Sequence, residues 1–131
     1  MSLPGFRTRN PLRDHETDLA RFNRLISLLE RMDDDIAKER TGMQARYQAT
    51  ESSAAFAMES LENGDGADDD LTLALQRYHA RIGMLDRQIA FMNAIGMEAR
   101  AFRDALENEF EEKRAKDAVE FSRNVAMADH D

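Results

Sequence analysis

The sequence predicts an all-α fold: a long antiparallel helical hairpin, coiled-coil-like, that dimerises into a four-helix bundle. Three observations predict it. Apolar residues recur at alternating steps of three and four over residues 19–61 and again over 71–92. The two prolines, Pro4 and Pro11, precede the first repeat, and a cluster of Asn, Gly and Asp over 63–70 separates the two. A repeat of about 3.5 residues keeps one seam of a helix against a partner helix, and a single short connection makes consecutive helices antiparallel.

Residues 1–13 read as a flexible basic arm, with Arg7, Arg9 and Arg13 and both prolines; proline disfavours helix at the residue before it. A first helix is expected over 14–62. Asp14 can cap its backbone N–H groups, and Glu16 and Asp18 sit where the helix dipole favours negative charge. Its seam begins Leu19, Phe22, Ile26, Leu29, Asp33 and Ile36. It continues through Arg40, Met43, Tyr47, Thr50, Ala54, Ala57 and Leu61. Gly42 is its weak point, costing about 1 kcal/mol against alanine. The turn is expected over 63–68, where Asn and Gly readily take a left-handed cap conformation.

A second helix is expected over 69–124, with Asp68, Asp69 and Asp70 as cap and first turn. Its seam reads Leu71, Leu75, Tyr78, Ile82, Leu85, Ile89 and Met92, then Ile95, Ala99, Phe102, Leu106 and Phe110. Two successive steps of three around Met92 read as a stammer, which overwinds the pair locally, with Gly96 beside it as the place for a close backbone approach. From Lys113 the seam weakens to Val119, Ser122, Val125 and Ala126. The hairpin domain is expected over 14–127 and a frayed tail over 128–131. Folding the chain at Gly66 pairs Leu61 with Leu71, Ala57 with Leu75, Tyr47 with Leu85, Arg40 with Met92, Asp33 with Ala99 and Phe22 with Phe110.

A second apolar stripe lies beside the seam: Leu25, Leu28 and Met32 on the first helix, Met84 and Phe91 on the second. A lone hairpin would leave it in water, so these five are the expected partner-binding residues. The simplest partner is a second copy, giving a homodimer; the C-terminal segment folding back as a third helix is the alternative.

Net charge is −8. That balance argues against nucleic acid, whose phosphates call for a positive stripe. The chain has no cysteine, which rules out disulfides and thiolate metal sites. No apolar run approaches the roughly 18 residues of a membrane span, and the N-terminus lacks an apolar signal core. A cytoplasmic protein is the expectation.

Candidate chemistry is sparse. Asp33, Asp34, Asp35 and Glu39 form a carboxylate cluster, and the register above brings Arg100 or Arg103 within reach of Asp33 as a pair that fixes register. Bundle metal sites use glutamates with a Glu-x-x-His motif on facing helices, which neither helix has. Residues 63–70 lack the order of acids and the closing Glu of a calcium loop. No metal and no cofactor are expected.

Three short matches carry resemblances. The run Tyr78-His79-Ala80-Arg81-Ile82-Gly83 resembles the phosphoacceptor turn of histidine phosphotransfer domains, with Ile82 where that family has Lys. His15-Glu16 with Leu19 resembles the start of histidine-kinase dimerisation helices. Thr72-Leu73-Ala74-Leu75-Gln76 resembles the acid-x-x-x-Gln pattern of CheZ-type chemotaxis phosphatases, with Thr72 in place of the acid. These resemblances imply catalytic roles for Thr72, Gln76 or His79. The hairpin as a whole resembles the FliJ-like stalks of bacterial export ATPases, which implies a binding role. The leading expectation is a non-enzymatic helical interaction protein: an adaptor, chaperone or stalk-like subunit of a motility, export or signalling assembly. A response-regulator phosphatase or phosphotransfer module is the alternative.

Overall fold

A computed structural model describes residues 10–60 and 65–128. The fold is two long α-helices packing against each other as a hairpin: α1, Pro11–Ser60, and α2, Asp65–Ala128. By contact the chain divides into two compact units, Met1–Ser27 with Gly96–Asp131, and Leu28–Ile95.

The first helix starts earlier than Asp14, and for a legible reason. Asn10 is the N-cap: its side-chain Oδ1 accepts from the Leu12 backbone N–H at 3.1 Å, and its carbonyl accepts from the Asp14 N–H at 3.1 Å. Pro11 then occupies the first helical position, where its missing N–H has no intrahelical partner to lose and its fixed φ suits the helix. Asn-Pro is thus a helix start rather than the end of an arm. Residues 1–9, which carry most of the expected arm, lie outside the described residues.

At the other end Asp65 to Asp68 are helical, so the connection is shorter and earlier than residues 63–68. That displacement moves the register. In the Met1–Ser27 and Gly96–Asp131 unit, Phe22 packs on Phe102 with ring centroids 4.7 Å apart, and His15 stacks on Phe110 at 3.9 Å. In the Leu28–Ile95 unit, Arg40 meets Asp86 and Tyr47 lies 6.4 Å from His79. Phe22 does not face Phe110, nor Tyr47 Leu85, nor Arg40 Met92. Each partner sits about one heptad from the place a fold at Gly66 assigns it, as an earlier turn requires. A slip of one heptad leaves the inward faces unchanged, so the seam itself survives. The Leu61–Leu71 pair lies outside the described residues.

The seam of α1 is buried or half-buried at each position from Leu19 to Ala57. On α2 the stammer is absent. After Met92 the buried or half-buried residues are Ile95, Gly96, Ala99, Arg100, Arg103, Leu106 and Phe110, among which Gly96, Ala99, Arg103, Leu106 and Phe110 continue the heptad. Ile95 and Phe102 are the strong apolar residues nearby, and they flank the seam; Phe102 is 50% exposed. Gly96 and Arg103 hold the seam positions instead. Gly96 is covered by a side chain of its own helix, since a Cβ there would lie 3.1 Å from Nη1 of Arg100, rather than by a facing backbone.

Beyond Phe110 every described residue of α2 is exposed, Val119 and Val125 included. With His15 level with Phe110, Pro11 stands about one turn further along α2, near Arg114. No described residue of α1 remains for the last turns to pack on, yet the helix runs to Ala128, past the expected end at 124. Residues 129–131 lie outside the described residues.

Candidate protein-interaction face

Around a heptad helix, positions b and e lie on one side of the a/d seam and positions c and g on the other. Two ion pairs in the Leu28–Ile95 unit mark these sides. Arg81 donates from Nε and Nη2 to the two carboxylate oxygens of Glu39, each at 3.0 Å, joining two g positions. Arg40, at an a position, donates from Nε to Asp86 Oδ1 and from Nη2 to Oδ2 at 3.4 Å, with Asp86 at e. The hydrogen bond from Arg40 holds the Asp86 carboxyl below the usual carboxylate range and raises the guanidinium in turn. Both groups keep substantial contact with water, so the pair contributes little to stability.

The two sides differ in chemistry. On the b/e side lie Thr41, Thr72, Gln76, His79 and Gly83, together with charged Asp34, Glu51 and Asp86 and the exposed Met58. Thr72 and Gln76 are exposed and one turn apart on it, and His79 is exposed beside the Tyr47 ring. A neutral hydroxyl stands where the phosphatase pattern has an acid. On the c/g side lie the expected partner-binding residues of this unit: Leu28, Met32, Met84 and Phe91, which are 46, 44, 44 and 62% exposed. Leu25, in the other unit, is 39% exposed. Met32 and Phe91 lie about two turns and one and a half turns from the Arg40–Asp86 pair, in the same direction along the hairpin. They therefore sit nearly level, with Leu28 one turn further on.

The interior behind this face is small. Among the described residues only Ile26, Ile82, Leu85, Met92 and Ala99 are buried hydrophobics, and no polar or charged residue is buried. Leu28, Met32, Met84 and Phe91 share one side of this unit, in which Phe56, Met58 and Leu73 are also exposed. Sequence reasoning finds the four residues from their place beside the seam. It misses the Glu39–Arg81 pair that flanks them, because the pairing depends on a register displaced by the turn.

Two shallow depressions are each lined by a single helix: one by Asp34, Ala37, Lys38 and Thr41, the other by Ala115, Lys116, Val119, Glu120 and Arg123. Among the described residues no group of three His, Asp or Glu side chains is placed to hold a metal ion, and no helix is long and apolar enough to cross a membrane. In the carboxylate cluster, Asp33 Oδ1 is buried with no hydrogen-bond partner. Arg103, an expected partner for it, donates instead to Asn23 at 3.2 Å and to Asp104 at 3.3 Å.

No protein-family model matches the chain, nor does any curated protein or solved structure.

Proposed function

We propose that this protein is a non-enzymatic helical interaction protein, an adaptor, chaperone or stalk-like cytoplasmic subunit, whose hairpins pair into a four-helix bundle. One observation carries the reading. Leu28, Met32, Met84 and Phe91 form an exposed apolar side next to a seam that buries very few side chains. Leaving that area in water forgoes about 25 cal/mol for each Å² of apolar surface, whereas a second pair of helices would cover it. Such a protein acts through a surface, so its activity is spread over side chains that fit a partner rather than concentrated in one reactive group.

Light scattering after size exclusion tests the reading. At micromolar concentration the 15.0 kDa chain is expected to elute with twice its own mass, and Phe91→Ser to shift it to the monomer while leaving the helical circular-dichroism signal in place. A wild-type monomer mass at that concentration would remove the four-helix bundle.

A further inference from the structure

The charges along the c/g side have an order. From the Leu28 end, α1 carries Asp35 and Glu39, then Gly42, then Arg46. On α2, running the other way, Phe91 lies beside Met32; Met84 follows near the level of Gly42, and Arg81 and Arg77 lie beside Arg46. The charges of one half are thus acidic and those of the other basic, with Met84 between them; exposed apolar side chains lie in both halves, Phe56 being at a c position past Arg46. Asp35, Arg46 and Arg77 are exposed, and none has an ion-pair partner among the described residues.

We propose that this side takes a second copy of the chain, antiparallel to the first, about a two-fold axis that passes near Gly42 and Met84. The inference rests on the interaction reading above and specifies how the two copies meet. A two-fold axis lying in the interface across the helices reverses their direction and sets α1 on α1 and α2 on α2. Every contact then occurs twice, as an isologous interface requires. Turned about the level of Met84, Asp35 of one copy comes opposite Arg46 of the other. Met32 comes opposite Ala49, and Phe91 comes opposite Arg77, whose guanidinium can lie over the ring. Met84 meets its own counterpart on the axis. Gly42 helps there: it is exposed and has no side chain, so the second helix can come close.

The parallel arrangement is disfavoured by the same order. An axis running along the helices keeps every level, so Arg46 and Arg77 of both copies gather at one end and the two copies of Asp35 at the other, while Arg81 stays paired with Glu39. Like charges set together in this way oppose association. Antiparallel pairing turns the same residues into attraction, which also offsets part of the repulsion between two chains of net charge −8.

Charge exchange in the full chain is the test. Arg46→Asp alone and Asp35→Arg alone are each expected to raise the dimer dissociation constant by roughly tenfold or more, read by sedimentation equilibrium. Asp35→Arg combined with Arg46→Asp swaps the two ends of one pair and is expected to bring it back to within about threefold of wild type. Helical circular dichroism of each variant separates weakened association from failure to fold. Because the chain has no cysteine, Met84→Cys provides an independent check: a short thiol-specific cross-linker is expected to join two copies there and not in Leu28→Cys. A dimer that the double variant does not restore and that Met84→Cys does not cross-link would overturn the antiparallel arrangement alone. A wild-type monomer would overturn the interaction reading with it.

Discussion

A carboxylate at a seam position of a helical pair loses water without gaining a partner unless the facing helix supplies one. Asp33 is in that position: its Oδ1 is buried and unsatisfied. The observed register sets it level with Met92 rather than Ala99, and Arg103 is held by Asn23 and Asp104. An unsatisfied buried polar group costs about 1–3 kcal/mol, and leucine there would add apolar contact with the opposite seam. Asp33→Leu is therefore expected to raise the midpoint of thermal unfolding by several degrees. A lower midpoint in a circular-dichroism melt would show that the other oxygen of Asp33 holds a stabilising contact. An unsatisfied carboxylate at a seam position can still penalise other registers, as the polar Arg40 and Arg103 of the same seam can.

At the scale of the helices, the last turns of α2 have no described partner. Every described residue past Phe110 is exposed, although Arg114 keeps its guanidinium 5.9 Å from the centre of the Phe110 ring. Helix there rests on propensity, which holds little without packing. Removing residues 117–131 is expected to move the unfolding midpoint by no more than about 2 °C, because surface changes away from packed contacts stay within about 0.5 kcal/mol. A fall of ten degrees would show that this end is packed in solution. The seam of both helices, as far as Met92, is legible from the spacing of apolar residues, because burial follows period before anything else. Past Met92 it is legible at Ala99, Leu106 and Phe110, while Gly96 is buried next to the half-buried Ile95, and Arg103 rather than Phe102 takes the inward position. A helix in continuous contact keeps its heptad even where glycine and arginine fill it, and apolar content alone points one residue away. The register has a different cause. It hangs on where the turn lies, and a run of Asn, Gly and Asp can end one helix or begin the next at several residues.

For the whole molecule, the proposed pairing of hairpins over so small an interior would link folding to association. Each copy buries Leu85 almost completely and only four other hydrophobic side chains beside it among the described residues. Small cores contribute a few kcal/mol of net stability at most, so the proposed cover over the c/g side is expected to add a sizeable share of the stability. A partner that binds only the folded state raises the unfolding midpoint by mass action. The midpoint of the wild-type chain is therefore expected to rise by several degrees for each tenfold increase in protein concentration between about 1 and 100 μM, since tenfold in concentration is worth about 1.4 kcal/mol. Phe91→Ser is expected to lower the midpoint and to remove its dependence on concentration together. A wild-type midpoint that stayed constant over that range would mean that one copy folds on its own, and that the exposed side serves a different partner. The same melts in Asp33→Leu separate the two sources of stability, because filling the seam raises the midpoint equally at every concentration while filling the face does not.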